Sequence, residues 1–292
     1  MEKTLEFQLN YDKSKWREII KRPVKTLQVF ITNQCNKRCA GCFYQDNLGK
    51  GEISLEEYRH LLEKYSKGID RLTLLGGEPT LHRDLFHMIE FNQDLGLKTT
   101  IYTNGFNLKA LENINLRDVD IRLGVLGLFH GEKKLSEIGK TSIPITIVYM
   151  LRKNNIDELM QAAAYAEQNF NCQGFYISSI RDIHATKSYW KDTEDTLELE
   201  AYARVVQDFV KNYEGDIKRM HLARRGILTT ENIPNYPKID SCRFLNIFPD
   251  QKKIICPFDI SLEIYSDDYE FNTRKCNKNP ECLLQKIVLE KI

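Results

Sequence analysis

No stretch of this sequence is apolar over anything near the ~20 residues a helix needs to cross a bilayer. The opening residues MEKTLEFQLNYDK also lack the apolar run of a secretion signal. Charge of one sign is missing too: 42 Lys and Arg stand against 41 Asp and Glu, a net of +1, and the basic residues are dispersed. A nucleic-acid binder more often shows a basic stripe, so nucleic acid is not the expected partner. The pairs Lys21-Arg22 and Arg224-Arg225 read as solvated faces or anion contacts. Low-complexity tracts and short-period repeats are absent as well. The expectation is a soluble, cytoplasmic protein with no membrane partner.

What is present is an ordinary globular composition, 42% hydrophobic and 28% charged over 292 residues, with one excess: eight cysteines. The length suits one large domain with a small appendage. In a reducing compartment clustered thiols point to metal or catalysis rather than to disulfides. Their distribution is uneven. Three lie between residues 35 and 42, four lie beyond residue 240, and Cys172 stands alone.

Short apolar runs alternate with helical patterns up to about residue 180. Strands are expected at residues 27–32 (LQVFIT), 72–75, 98–102, 119–125, 143–150 and 174–179. Helices are expected at 54–67, where Ser54 and Glu57 form a capping box, at 83–95 closed by Gly96, and at 157–168. A longer helix follows, boxed by Asp195 and Glu198, with Leu199, Tyr202, Val206, Phe209 and Tyr213 on one stripe. Six βα units in series predict a parallel sheet with right-handed crossovers. Residues 234–240 (PNYPKID) read as a linker, which divides the chain into a segment 1–24, a main domain 25–233 and an extension 234–292.

Cys35, Cys39 and Cys42 follow the first strand on one tight loop. Three thiolates can hold three irons of a 4Fe–4S cube, which normally takes four; the fourth iron would stay open to another ligand. A structural zinc would instead want four protein ligands, usually as two pairs. After the second strand comes Gly76-Gly77-Glu78-Pro79. The glycines let backbone approach a ligand closely, and the carboxylate can accept from an amine. Together, the cysteine loop after strand one and GGEP after strand two resemble the radical S-adenosylmethionine (SAM) superfamily over roughly residues 25–180.

That resemblance implies an α/β fold, a partial (β/α)6 TIM-like barrel with a small C-terminal cluster-binding extension. It implies a 4Fe–4S cluster on the three cysteines, whose open iron is chelated by SAM, with Glu78 contacting the amino group. Electron transfer then releases a 5′-deoxyadenosyl radical that abstracts a substrate hydrogen. Thr103 and Asn104 at the end of strand three, and Ser178 and Arg181 after strand six, match positions where relatives place polar contacts. Asn155 and Glu158 open the helix after strand five as in related enzymes, or simply cap it. The chain departs from relatives at Gly41, where many have an aromatic residue, so Phe43 or Tyr44 would cover the adenine. Strand four reads Leu123-Gly-Val-Leu-Gly127 where relatives often have Ser-x-Asp-Gly.

The spacing Cys242-x13-Cys256, with a Pro-Asp turn and an apolar strand into Cys-Pro, resembles the opening hairpin of SPASM and twitch extensions. Gln251 replaces their usual Gly. With Cys276 and Cys282 it would hold one auxiliary 4Fe–4S cluster; zinc or scattered structural cysteines are the other readings. The expected reaction is oxidative modification of a small natural-product or carbohydrate-like substrate, fed by a flavodoxin- or ferredoxin-type reductant. A maturase of a ribosomal peptide is the alternative, although only 34 residues precede Cys35, fewer than a leader-binding domain needs. A non-catalytic iron–sulfur carrier or a zinc module would have no use for GGEP. Cys172 precedes strand six and belongs at the barrel face away from the chemistry.

Overall fold

A computed structural model describes residues 26–39, 42, 44–69, 71–179, 195, 197, 199–217, 219–223, 244–256, 259–264 and 286–290. Seven strands run parallel in chain order: β1 (Thr26–Thr32), β2 (Arg71–Gly76), β3 (Thr99–Thr103), β4 (Val119–Val125), β5 (Thr141–Leu151), β6 (Phe170–Ser179) and β7 (Arg219–Ala223). On the open side of β1 lies β8 (Phe244–Ile247), also parallel to it, followed by antiparallel β9 (Lys253–Cys256) and β10 (Asp259–Ile264). On the far side, β11 (Lys286–Glu290) pairs antiparallel with β7. The sheet is one open array of eleven strands, the partial barrel that the sequence leads one to expect, not a closed one.

Alternation along the strands builds the core. Leu27, Val29 and Ile31 of β1, Leu72 and Leu74 of β2, and Ile121, Leu123 and Val125 of β4 all pack into one buried cluster with helix residues. The residues between them therefore face the other, concave side of the sheet. Four α-helices occur among the described residues: α1 (Leu55–Tyr65), α2 (Leu85–Asp94), α3 (Leu159–Asn169) and α4 (Leu199–Asn212). The capping box at α1 forms as expected, Ser54 Oγ accepting from Glu57 N while Glu57 accepts from Ser54 N. α3 buries Ala162, Ala163 and Ala166, small enough to bring its axis close to the sheet.

Three features differ from the sequence expectation. The connections after β3 and β4 carry short 3-10 turns, Leu108–Leu111 and Leu135–Glu137, in place of helices. Strand six begins four residues earlier than expected, because Phe170 to Cys172 pair with Thr141 to Ile145 before a register shift. The extension hairpin extends the barrel's own sheet, with Leu27 of β1 in register with Leu245 of β8. The turn between β8 and β9 closes with Gln251 N donating to Phe248 O at 2.9 Å, and Gln251 sits at φ 64°, the conformation that favours the glycine of relatives. The linker 234–240 and Glu198 fall outside the described residues, and Asp195 accepts from Asn154 Nδ2 at 2.9 Å.

Candidate active site

The loops after β1 and β2 are zipped together. Gly77 N donates to Thr32 O, and Glu78 N to Gln34 O, both at 2.7 Å, so the parallel ladder continues past the strand ends into the cysteine loop. Only glycine fits there. A Cβ on Gly77 would overlap Gln34 O and lie 2.6 Å from Gln34 C and 3.0 Å from Cys35 Cβ. Gly76 has φ 145°, and a Cβ there would overlap Thr32 O. The backbone these glycines admit is that of the cysteine loop. Pro79 opens the short turn that follows and is buried.

Glu78 is held firmly by its neighbours. Its side chain is 1% exposed, and its carboxylate accepts from Thr80 N at 3.1 Å and Thr80 Oγ1 at 2.7 Å. Thr103 Oγ1 donates to it at 2.7 Å and Asn104 N at 2.6 Å. Three of these four donors meet Oε1 and one meets Oε2. The carboxylate bolts the end of β3 to the GGEP turn. His82, buried two turns of sequence further on, ties the same segment to Ile53 O at 2.8 Å while its Nδ1 accepts from Asp84 N.

Cys35, Cys39 and Cys42 are all half-buried free thiols on the zipped loop. Burial, aided by Cys42, Glu132 and Cys35, pushes the Cys39 thiol up to about 11. Burial raises Cys42 as well, with Cys35 adding to the rise. Lys133 favours the thiolate of both, and Arg38 that of Cys42. Such a donor set fits an iron–sulfur cube. Clustered thiols become ligands when a multivalent metal supplies the counter-charge. Among the described residues no three His, Cys, Asp or Glu side chains converge on one ion position; a cube asks each thiolate to meet a different iron.

Lys133 belongs to no motif in the sequence. It stands in the loop after β4, and its Nζ lies 3.5 Å from where a Gly124 Cβ would project. Gly124 follows Arg122 on the concave side of β4, so the ammonium folds back over the strand end into the mouth of the barrel. A glycine inside a strand, which often marks close approach of another group, was the one clue. Below it, Arg122 is 5% exposed and donates to Asp120 Oδ2 at 2.7 Å and Tyr102 OH at 2.9 Å, a polar floor. The same loop is clamped from beneath. Glu158 accepts from Leu128 N at 3.0 Å and Phe129 N at 3.2 Å and pairs with His130 at 2.5 Å. Asn155 donates to Leu126 O at 2.7 Å and to Met150 O at 2.9 Å. Asn155 Oδ1 also accepts from Arg152 N at 2.7 Å, so Asn155 caps the turn after β5 and, with Glu158, holds the β4 loop.

The remaining candidates fall unevenly. Ser178 is half-buried beside Met150 of β5 on the concave side. Tyr44 is 2% exposed, stacked on Phe30 at 4.9 Å and Phe248 at 6.0 Å, with its hydroxyl donating to Asn33 Oδ1 at 2.6 Å. Phe43, Arg181, Cys242, Cys276 and Cys282 lie outside the described residues, and Cys256 is placed by its backbone at the end of β9. Cys172 sits near the start of β6, its thiol donating to Gly174 O at 3.3 Å.

A loop of three thiols is thus zipped to a Gly-Gly-Glu turn at the C-terminal ends of parallel strands. The radical SAM superfamily model matches residues 29–178, and the chain belongs to that superfamily. It is a radical SAM enzyme, and its family implies a 4Fe–4S cluster and SAM. Among similar sequences is a protein of Saccharolobus islandicus named "Probable GTP 3',8-cyclase", 25% identical over 71% of this chain and 72% of that one. A protein of the same name from Thermococcus kodakarensis is 34% identical over 31% of this chain and 30% of its own. Among solved structures, Streptococcus suis SuiB bound to precursor peptide SuiA has a TM-score of 0.65 at 16% identity, covering 88% of this chain. The chain spans 64% of the length of SuiB, and the likeness is one of fold. No helix among the described residues is long and apolar enough to cross a membrane.

Proposed function

We propose that this enzyme oxidatively modifies a small natural-product or carbohydrate-like molecule, or another polar small molecule of that size, at the mouth formed by the strand ends. The observation that carries this reading is the zipped junction of the cysteine loop, GGEP and the end of β3. It would hold the cluster on Cys35, Cys39 and Cys42, with SAM over it. When bound, that cluster supplies the electron that cleaves SAM to a 5′-deoxyadenosyl radical. The chain's own part is to fix the thiolates, to close the floor with Arg122 and Tyr102, and to offer Lys133 as a cation at the mouth. Sequence kinship to proteins named as GTP cyclases supports a small-molecule substrate over a peptide.

Cys242, Cys256, Cys276 and Cys282 would hold a second 4Fe–4S cluster that takes an electron from the substrate radical, with a flavodoxin- or ferredoxin-type protein reducing the first. Anaerobic reconstitution should then give about eight irons and eight sulfides per chain, two cubes' worth; half that content would remove the second cluster from the account. For the substrate, 5′-deoxyadenosine formation should rise on adding GTP or the low-molecular-weight fraction of a cell extract. Stimulation confined to the peptide fraction would transfer the function to peptide maturation.

A further inference from the structure

The residues at the end of β3 were expected to meet the cosubstrate, yet Asn104 is turned toward the cysteine loop. It is 5% exposed, and every polar group of it but the carbonyl is engaged. Its N–H donates to Glu78 Oε2 at 2.6 Å, and its carboxamide oxygen accepts from Phe106 N at 3.0 Å. Its carboxamide nitrogen donates to Asn36 Oδ1 at 2.7 Å and reaches Cys35 Sγ at 3.9 Å. Cys35 Sγ has a second donor, Lys37 N, at 3.4 Å. The two donors differ in origin. Lys37 N rides on the cysteine loop and moves with it. Asn104 belongs to β3 and is anchored through the buried Glu78 carboxylate, so its contact refers the sulfur to the rigid sheet.

We infer that Asn104 is a positioning residue for the cluster, a sulfur hydrogen-bond donor that holds Cys35 against the barrel and sets the potential of the iron it binds, and not a contact to SAM. The inference rests on the reading that Cys35, Cys39 and Cys42 carry a 4Fe–4S cluster. An N–H aimed at a ligating sulfur withdraws electron density from it and favours the more negative, reduced cluster. Removing that donor leaves the reduced state less stabilised, so the midpoint potential falls. A residue that touched only SAM would alter SAM affinity and leave the potential alone.

The test uses the full chain, reconstituted anaerobically, as wild type, Asn104→Ser and Asn104→Ala. Ser is neutral, keeps an acceptor for Phe106 N and is too short to reach the sulfur; Ala removes both. A redox titration follows the EPR signal of the reduced cluster that changes on adding SAM, and SAM affinity is measured separately. Both variants should hold wild-type iron, bind SAM with unchanged affinity and titrate at a more negative midpoint. An Asn104→Ser midpoint equal to wild type, or a loss of SAM affinity with the midpoint unmoved, overturns the inference. Should Asn104→Ala fail to fold, Asn104→Ser decides alone. A wild-type chain with no SAM-responsive signal would instead sink the cluster reading on which the inference depends, so the two failures are distinguishable.

Discussion

Replacing Gly77 by Ala tests the loop junction with one methyl group. The added Cβ would lie 2.6 Å from Gln34 C, where ordinary contact begins near 3.4 Å, and would overlap the Gln34 carbonyl oxygen outright. The obstacle is backbone, so no side chain can swing away; the cysteine loop must retreat by about 1 Å. That retreat breaks the hydrogen bonds Gly77 N to Thr32 O and Glu78 N to Gln34 O. At roughly 0.5–1.5 kcal/mol net for each bond, the variant should lose about 1–3 kcal/mol. Cys35 would also leave its place beside the other thiols, because its own Cβ is among the atoms struck. Chemical unfolding of the apo chain measures the first effect, and iron content after reconstitution the second. Gly49→Ala is the matched control, with nothing within 4 Å of its Cβ, and should change stability by no more than ~0.5 kcal/mol. A Gly77→Ala protein with wild-type stability and full iron content would refute the account of the junction.

Gln251→Gly should stabilise the chain by about 0.5–1 kcal/mol, since it relieves a left-handed side chain at φ 64° and loses part of that gain to unfolded-state entropy; an equal or lower unfolding midpoint would contradict it. Cys172→Ala should leave SAM cleavage intact. The Cys172 thiol is raised by burial from 9.0 to about 11, so its neutral form favours the fold below about pH 9, and that contribution drains away as pH climbs from 9 toward 11. The stability difference between wild type and Cys172→Ala should therefore shrink over that range. A difference independent of pH would count against a buried thiol.

The sequence carried the local signals well. Ser54 and Glu57 are three residues apart, and a capping box needs nothing beyond that turn. Strand β4 was legible residue for residue because its apolar positions alternate cleanly. Contacts across the chain were not legible. The donors that meet Glu78 come partly from Thr103 and Asn104, more than twenty residues away, and nothing in a Gly-Gly-Glu turn signals them. β7 was hidden because its five residues lie among charged neighbours in KRMHLARR. β8 was expected as part of a separate hairpin, and its pairing with β1 joins residues some two hundred positions apart. Lys133 stands in a loop with no motif and gains meaning only from the strand end over which it folds.

The central claim is that Cys35, Cys39 and Cys42 form the cluster site of a radical SAM enzyme, and reductive cleavage of SAM measures it most directly. Wild-type chain and the triple variant Cys35→Ala, Cys39→Ala, Cys42→Ala are reconstituted anaerobically, supplied with SAM and dithionite, and assayed for 5′-deoxyadenosine. The account predicts that wild type forms it and the triple variant forms none, even if the variant retains iron in the C-terminal extension. Formation of 5′-deoxyadenosine by the triple variant at the wild-type rate would contradict it.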